Sequence, residues 1–309
     1  MKKIIFYLVA CMAVGLISCD DDAIFSKEQY KHVVALISSG DYNVFQEVHE
    51  LTGAETIGYI AASCGGTSTT NEDVVITLEE DDEQILTYNR AIYDADEDRY
   101  ARLLPKDKYT IDDYHIRISA GERSGKTMIK VNGEGLSPDS IYFVSLRIKE
   151  VSNFEVNEEK NDLLYHVVIK NEYASQSTDL SQLWAGSIYS MTGLRNNSPI
   201  LYSKQLQPLG WNKVRMMAGA EAFQSDVDII DRASVVMEIK GNNRVKITPY
   251  KGIEVNQVDG DEDFPNSYAE EYEPLTKKYY NVFLLRYDYR IAGGTLIQMK
   301  EELRMEVKK

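Results

Sequence analysis

The sequence predicts an all-β protein with two antiparallel β domains in one chain of 309 residues. Three observations indicate this. Short runs alternate apolar and polar residues, β-branched and aromatic residues are concentrated in those runs, and Gly, Asn, Asp and Ser are concentrated in the gaps. Strands and helices do not alternate regularly along the chain, which argues against a parallel doubly wound sheet. The first group of strands predicts a sandwich and the second predicts a barrel.

The chain begins with the features of a bacterial export signal. Lys2 and Lys3 precede an apolar run from Ile4 to Ile17, which is shorter than the about 20 residues that a membrane-spanning helix needs. The following Ser18-Cys19 resembles the lipobox, in which the cysteine is lipidated and becomes the first residue of the mature chain. We therefore expect a signal peptide over residues 1–18 and a lipidated tether over residues 19–27; a plain secretory peptide cut elsewhere is the alternative.

The residues after the cysteine predict a location at the cell surface. Asp20-Asp21-Asp22 resembles the acidic signal with which Bacteroidetes lipoproteins reach the outer face of the outer membrane. The resemblance implies a lipid-anchored, outward-facing protein that contacts the membrane through lipid alone. Each buried methylene of an acyl chain contributes about 0.8 kcal/mol to such anchoring.

Charge and cysteine content exclude several classes of function. The net charge is −15, and such an acidic protein repels phosphate backbones, which argues against nucleic acid as a partner. Cys11 is removed with the signal and Cys19 carries lipid, so that Cys64 remains as the single thiol of the folded part. We therefore expect neither an internal disulfide nor a cysteine metal cluster, and we expect no cofactor.

Residues 28–172 are predicted to form an immunoglobulin-like antiparallel sandwich with one short helix. The predicted strands lie in YKHVVALIS, TIGYIAAS, DVVITLEE, YHIRISA, TMIKVNG, YFVSLRIKEV and LLYHVVIKN. The helix is predicted in DEQILTYNRAIYDA, where Ile85, Tyr88 and Ile92 recur at helical spacing.

Residues 173–309 are predicted to form an antiparallel β-barrel, because a closed barrel removes the exposed edges of many short strands. Its strands are predicted in LWAGSIYSM, ILYSKQL, NKVRMMA, DVDIID, SVVMEIK, RVKITPY, YNVFLLRYDYRI and TLIQMKEELRMEV. Asn242-Asn243 and Gly293-Gly294 predict hairpin turns between neighbouring strands.

The stretch AGERSGKT, from Ala120 to Thr127, fits the loose form of a phosphate-binding loop. Such a loop must lead from a strand into a helix whose N-terminus faces the phosphates. The residues that follow, MIKVNGEGL, instead alternate like a strand and end in a turn. We therefore interpret Ala120 to Thr127 as a hairpin turn.

One acidic loop is a weak candidate for calcium. Asp259, Asp261, Asp263 and Glu270 fall at positions 1, 3, 5 and 12 of a calcium-binding loop, but Phe264 stands where Gly is needed and flanking helices are missing. A solvated acidic loop is the favoured interpretation. The four histidines are scattered singly along predicted strands, with no spacing typical of a metal site.

Several motifs resemble a known family. Tyr88-Asn89 on the predicted helix, Leu104-Pro105 with the following Tyr109, and the two alternating strands after them resemble an N-terminal domain of unknown function common in Bacteroidetes lipoproteins. Val144-Ser145-Leu146 departs from the Leu-Pro-Val that usually ends the last of these strands. The second half, with WAGSIYSMTG, NKVRM and RVKITPY, resembles the calycin-like barrel domain often attached to it.

The resemblance implies a role in nutrient uptake without catalysis. Related lipoproteins are accessories of SusC/SusD-like outer-membrane importers in glycan-utilisation loci, and the N-terminal domain also precedes some family-18 endoglycosidases. DGDEDFPNSYAE only echoes the family-18 carboxylate signature, since Asp263 replaces the catalytic Glu, and this half lacks the strand–helix units of that barrel. We therefore expect a non-catalytic protein that binds extracellular glycan or glycoprotein beside an importer.

Aromatic residues are the candidate ligand contacts, because sugar rings stack their C–H faces on exposed aromatic rings. Trp184, Tyr189, Tyr202 and Trp211 cluster in a stretch rich in Asn, Ser, Gly and Gln. Packing of these rings in the core of a β domain is the alternative. Two other classes remain open: an adhesin or surface-assembly subunit that binds protein through sheet edges, and a hydrolase with a carboxylate site that carries no recognisable motif.

Overall fold

The computed structural model describes residues 31–39, 41–179 and 186–307. Within these ranges the chain forms 20 β-strands, two α-helices and three short 3-10 helices. The predicted signal peptide, the tether with Cys19 and the candidate Trp184 lie outside the described residues. In the described part of the chain, no helix is both long and apolar enough to cross a membrane.

The N-terminal half is a sandwich of two β-sheets. Its strands are β1 (Val33–Leu36), β2 (Val44–Glu50), β3 (Thr56–Cys64), β4 (Val74–Glu80), β5 (Arg102–Leu103), β6 (Tyr109–Thr110), β7 (His115–Ile118), β8 (Ser124–Val131), β9 (Tyr142–Val151), β10 (Glu155–Val156) and β11 (Asp162–Lys170). The first sheet has the order β10-β1-β3-β8-β6, and the second has the order β2-β11-β9-β4-β7 with β5 beside β9. Most neighbours are antiparallel; β1–β10, β2–β11 and β5–β9 are parallel.

Strand β11 explains how the sandwich carries a helix. Leu163, Tyr165, Val167 and Ile169 point into the core between the two sheets. On the outer face of the second sheet, Leu164 packs in one cluster with Ile85 and Tyr88 of helix α1 (Glu83–Tyr93). Both faces of β11 are therefore covered, which is why its sequence is a continuous apolar run rather than an alternating one. The predicted helix is confirmed.

The C-terminal half is one sheet that curls into a nearly closed barrel. Its strands are β12 (Ser187–Arg195), β13 (Ser198–Gly210), β14 (Lys213–Met217), β15 (Ser234–Ile239), β16 (Val245–Pro249), β17 (Glu254–Gln257), β18 (Ser267–Glu273), β19 (Lys278–Arg290) and β20 (Ile297–Val307). The order is β16-β15-β14-β13-β12-β20-β19-β17, with β18 also beside β19. The two ends of this sheet meet where Ile247 N donates a hydrogen bond of 2.7 Å to Gln257 Oε1. The predicted fold class is confirmed.

The stretch DVDIID is not the predicted strand. Residues Val227–Ala233 form helix α2, because the side chain of Asp226 accepts hydrogen bonds from the backbone N–H groups of Asp228 and Ile229. An aspartate in this N-cap position satisfies donors that the first helical turn leaves free, and so it favours a helix over a strand.

The interpretation of Ala120 to Thr127 as a hairpin turn is also corrected. The turn itself lies between β7 and β8, and residues 124–127 already belong to β8. Strand β7 pairs with β4 in the second sheet, whereas β8 pairs with β3 in the first. The turn therefore carries the chain from one sheet of the sandwich to the other. Strand β8, and not a helix, follows the turn, so the stretch lacks the helix N-terminus of a phosphate-binding loop.

The connection between sandwich and barrel is tied to both. Asn171 Nδ2 donates to the carbonyl oxygens of Gly210 and Lys213, at 2.8 and 2.9 Å, in the barrel. Gln176 Nε2 donates to Pro138 O, at 2.9 Å, in the sandwich. The predicted domain boundary between residues 172 and 173 falls in this connection and stays a prediction.

Candidate functional site

A cleft of about 640 Å³ opens between helix α1 and the outer face of the second sheet. Its aromatic lining, as far as the described residues show it, consists of Tyr42, Tyr88 and Tyr93. Its polar lining is Ser39, Asp41, Gln46, Arg99, Thr178 and Asp179. We call it the tyrosine cleft. Aromatic walls with a few polar groups are typical of small-molecule sites of this size.

Tyr42 is held in the cleft by a strained turn. Tyr42 and the next residue, Asn43, have φ angles of 60° and 51°, in the left-handed region that non-glycine residues rarely adopt. Asn43 Nδ2 donates to Glu159 O at 2.8 Å and to Asp162 Oδ1 at 2.6 Å, and Gln84 Nε2 on α1 donates to Tyr42 O at 3.0 Å. Backbone strain of this kind costs on the order of 1–3 kcal/mol and is concentrated at ligand-binding positions.

The tyrosine rings brace one another. The Tyr88 ring lies 5.7 Å from Tyr42 at an interplanar angle of 88°, 6.2 Å from Tyr93, and 5.1 Å from Phe143 beneath it. Edge-to-face contacts of this geometry are favourable. Tyr88 is buried, whereas Tyr42 and Tyr93 are half-buried and offer surface to the cleft. Burial raises the pKa of Tyr88 and of Tyr93, so both hydroxyls are neutral at physiological pH.

Arg99 stands at the rim of the cleft. Its guanidinium carbon lies 5.3 Å from the centre of the Tyr93 ring, within the range of a cation–π contact. Its Nη1 atom is 4.0 Å from Asp96 Oδ2. Both partners of that ion pair are largely exposed, so we expect it to add little stability. The contact with the Tyr93 ring therefore places the guanidinium of Arg99 beside the aromatic lining of the cleft.

The motif residues behind the family resemblance fix helix α1 and the segment that follows it, and one of them, Tyr88, lines the cleft. Asn89 donates through Nδ2 to Ala101 O at 2.9 Å and accepts from Ala101 N at 2.8 Å. This pair of bonds fixes the segment after α1 to the helix. Tyr109 donates to Glu80 Oε1 at 2.8 Å, and Leu104 is buried in the core. The motif thus holds the helix that carries Tyr88 and Tyr93.

The candidate aromatic residues predicted from the sequence differ in their exposure: one is buried in the barrel and two reach the surface. Tyr189 is fully buried in the barrel, and its hydroxyl donates to Tyr173 O at 2.7 Å. The prediction that it contacts a ligand is therefore corrected, because its ring has no exposed face for a sugar. Tyr202 lines a second cleft with Ile188, Leu201 and Phe223. Trp211 is 57% exposed on the turn between β13 and β14.

The carboxylates of the acidic loop predicted as a weak calcium candidate are not arranged as a metal site. Asp261 forms an ion pair of 2.5 Å with Lys300 and accepts from the backbone N–H groups of Asp263 and Phe264. The hydrogen bond from Lys300 lowers the pKa of Asp261 below its ordinary value. Glu270 lies on β18. Among the residues that the structure describes, no three His, Cys, Asp or Glu side chains are placed to hold a metal ion together.

Sequence reasoning missed Tyr42, Gln46 and Tyr93 as site residues. Gln46 lies on β2, a strand that was not predicted, and Tyr42 lies in the gap before it. Tyr88 and Tyr93 were both within the predicted helix, and two tyrosines five residues apart on one short helix were the available signal. The contribution of β2 follows only from its parallel pairing with β11, which no local pattern reveals.

Two family models match the chain in sequence. A model for an N-terminal domain matches residues 26–155, and a model for a C-terminal domain matches residues 161–304. Only residues 156–160 lie between the two matched regions. No curated protein matches the chain.

Solved structures from Bacteroides share the whole architecture. A structural-genomics protein of unknown function from Bacteroides ovatus is 16% identical, with a TM-score of 0.63 over 89% of this chain and 94% of that chain. A multidomain protein including DUF1735 from Bacteroides ovatus is 15% identical, with a TM-score of 0.63 over 90% of this chain and 95% of that chain.

An auxiliary nutrient binding protein from Bacteroides thetaiotaomicron is similar over the same extent. It is 12% identical, with a TM-score of 0.56 over 87% of this chain and 93% of that chain. Likeness at such low identity shows a common fold. The paired N-terminal and C-terminal domain models together span residues 26–155 and 161–304, and the chain therefore belongs to the family that these two models describe.

Proposed function

We propose that the protein is a cell-surface lipoprotein that binds extracellular glycan or glycoprotein, without catalysis, as an accessory to a SusC/SusD-like outer-membrane importer. The observation that carries the proposal is the tyrosine cleft, in which a strained turn holds Tyr42 against an aromatic wall. The lipobox at Cys19 supports anchoring at the surface, since a lipid tether keeps captured glycan near the importer.

The chemistry of the cleft suits a sugar. The half-buried rings of Tyr42 and Tyr93 offer apolar faces to the C–H groups of a sugar ring. Asp41 and Asp179 supply acceptors for hydroxyl groups, and Gln46 supplies an amide. Because the turn at Tyr42 is fixed by hydrogen bonds from Asn43 and Gln84, little conformational entropy is lost when a ligand binds.

The comparisons support this role at the level of fold. The Bacteroides thetaiotaomicron relative is described as an auxiliary nutrient binding protein, and its architecture matches 87% of this chain. An auxiliary role in nutrient capture requires binding and not turnover. We therefore extend that role to this chain as part of the proposal.

Affinity gel electrophoresis of the mature chain against a broad glycan panel tests the proposal. We expect at least one glycan to retard the protein, and we expect Tyr42→Ala and Tyr93→Ala to weaken that binding by roughly tenfold each, since stacking and edge contacts contribute about 0.5–1.5 kcal/mol beyond area burial. Tyr272→Ala is the matched control, because Tyr272 is exposed on β18 in the barrel. Retardation by no glycan, or release of products from a bound glycan, would contradict the proposal.

A protein partner is the second candidate function, and the second cleft favours it. Ile188 and Leu201 on the outward face of β12 and β13 are 63% and 78% exposed. The part of this cleft's lining that the structure describes has no charged residue: Ile188, Ser190, Leu201, Tyr202, Ser203, Gln205, Ala222 and Phe223. Depletion of charge is typical of the centre of a protein–protein interface. Co-purification of a surface protein by the wild type, and not by Leu201→Glu, together with no glycan binding, would favour this function.

A further inference from the structure

Among the described residues that line the tyrosine cleft, Gln46 is the one neutral amide, and a buried histidine orients it. Gln46 on β2 lies directly beside His166 on β11 in the parallel register. His166 Nδ1 donates to Gln46 Oε1 at 3.0 Å. The amide oxygen is therefore turned toward the histidine, and the NH₂ group is the part of the amide that remains for a ligand.

His166 is suited to this task because it stays neutral. It is fully buried, with its ring 5.4 Å from that of Phe143. Burial lowers the pKa of His166 to about 4, so that one ring nitrogen carries a proton and the other does not at physiological pH. Nδ1 uses its proton in the bond to Gln46, and Nε2 has no hydrogen-bond partner among the described residues. An unpartnered buried nitrogen costs stability, which favours a role for the histidine beyond packing.

The remaining charges of the cleft disfavour anions. Asp41 and Asp179 line it, and within residues 31–39, 41–179 and 186–307 Arg99 is the one positive side chain of the lining. The guanidinium of Arg99 is already placed over the Tyr93 ring and near Asp96. The exposed segment 94–98, with the sequence DADED, adds four carboxylates directly before Arg99. A sugar carboxylate or sulfate entering the cleft thus meets more negative than positive charge, whereas a hydroxyl meets both acceptors and the NH₂ donor of Gln46.

We propose that the tyrosine cleft selects uncharged glycans over anionic ones, with Gln46 as the hydrogen-bond donor that determines specificity and His166 as the residue that positions it. This rests on the proposed function, since it names the class of glycan that the same cleft takes. The neutral sugar ring lies against Tyr42 and Tyr93, and its oxygen atoms accept from Gln46.

A matched glycan series tests the selectivity. The full mature chain is titrated with dextran, laminarin and galactomannan as neutral probes, and with dextran sulfate, polygalacturonate and alginate as anionic probes, at low salt and at about 0.15 M salt. We expect a neutral probe to bind at least roughly tenfold more tightly than any anionic one at either salt concentration. Equal or tighter binding of an anionic probe that Tyr42→Ala weakens would overturn the selectivity and leave glycan binding intact. Binding of no probe in this series would overturn the selectivity, and if the broad glycan panel is also silent, the proposed function is overturned with it.

Variants of Gln46 and His166 test the two roles. Gln46→Glu keeps the size of the side chain but replaces the donor with a carboxylate, and Gln46→Ala removes it; we expect each to weaken binding of the neutral probe by roughly fivefold. His166→Phe keeps a ring beside Phe143 and is expected to weaken binding similarly.

A double-mutant cycle separates positioning from structure. In the Gln46→Ala background, His166→Phe should cause no further loss of binding, because the group that it positions is absent. An equal loss in both backgrounds would show a merely structural effect of His166, and it would overturn its role. Unchanged binding in both Gln46 variants would overturn the role of Gln46, with thermal unfolding as the check that each variant is folded.

Discussion

The guanidinium of Arg215 in the barrel makes two hydrogen bonds, both of 2.5 Å, to the carboxylate of Asp139 in the sandwich. Arg215 also donates to Gln207, and its guanidinium carbon lies 4.9 Å from the centre of the Tyr250 ring. The two side chains are only 2% and 12% exposed. A buried bidentate pair of this kind requires both partners, because either one alone would be an uncompensated charge.

We therefore predict that Asp139→Ala strongly destabilises the protein. Removing one partner of a buried ion pair typically costs about 3–5 kcal/mol. The free energy of unfolding from denaturant titration is the measurement. The control is Asp231→Ala, which breaks an exposed pair with Lys251 and should cost less than about 1 kcal/mol. Equal effects of the two variants would contradict a buried, coupled junction.

The second charged pair lies inside the barrel. Lys204 Nζ is 2.8 Å from Glu301 Oε2, both side chains are buried, and Tyr287 donates to Glu301 Oε1 at 2.6 Å. We expect Lys204→Met to destabilise by about 3–5 kcal/mol, because Glu301 is left as an unpaired buried charge. Adding Glu301→Leu should recover much of the loss. If the double variant is less stable than Lys204→Met alone, as measured by denaturant unfolding, this account of the pair is wrong.

The strained turn predicts that a residue outside the tyrosine cleft affects glycan binding in it. Asn43 does not line the tyrosine cleft, but its side chain fixes the turn that holds Tyr42. Asn43→Ala should weaken glycan binding and cost about 1–3 kcal/mol of stability, since it removes two hydrogen bonds at a left-handed position. Asn243→Ala changes another left-handed asparagine, in the turn between β15 and β16, and should leave glycan affinity unchanged. Glycan titration and thermal unfolding of both variants provide the comparison.

His166 predicts how stability depends on pH. Its pKa is about 4 in the folded protein, against 6.5 as the ordinary value, because burial disfavours the charged ring. Below pH 6.5 the unfolded chain binds this proton more readily than the folded chain. The contribution of His166 to stability is thus fully present above pH 6.5 and is lost as the pH falls toward 4, by about 3 kcal/mol.

Denaturant unfolding of the wild type and of His166→Phe at several pH values between 7 and 4 measures this effect. The wild type should lose stability more steeply than the variant across that interval. Carboxylates contribute alike to both proteins, so the difference between the two curves isolates His166. Parallel curves would contradict the assignment.

Gly58 marks the close approach of the two sheets of the sandwich. A Cβ atom at this position would lie 2.0 Å from the Tyr165 hydroxyl and 2.6 Å from Glu47 Oε2. Tyr165 donates to Glu47 and also bonds His49 Nε2, so the group cannot shift without breaking this network. Gly58→Ala should therefore cost about 1–3 kcal/mol. Gly241→Ala, where a Cβ would meet nothing within 4 Å, is the control in the same unfolding measurement.

Prediction from sequence succeeded where local pattern decides the structure. Alternation marked β3, β8 and β9, and the helical spacing of Ile85 and Tyr88 marked α1. It failed at DVDIID, where the capping side chain of Asp226 outweighs a strand-like composition. It also failed to find β2. Only a few residues of this strand are buried, so its sequence, VFQEVHE, contains several polar and charged residues and does not alternate clearly.

The candidate site was the hardest part to predict. Tyr189 and Tyr202 lie in the same kind of sequence, but one is fully buried and the other is partly exposed. Strand alternation would place either residue on either face until the register of the sheet is known. The tyrosine cleft draws on the turn before β2, on α1 and on the segment after β11, which are distant in sequence.

By itself the sequence determined the all-β class, the order of sandwich and barrel, and the helix that carries the Tyr88-Asn89 motif. These follow from local composition and period, which act over a few residues. Only the tertiary structure decided which aromatic rings are free to meet a ligand and which charges are buried. The cleft at Tyr42 and the pair between Arg215 and Asp139 both arise from contacts across long sequence separations, where register and packing, and not local preference, determine which atoms meet.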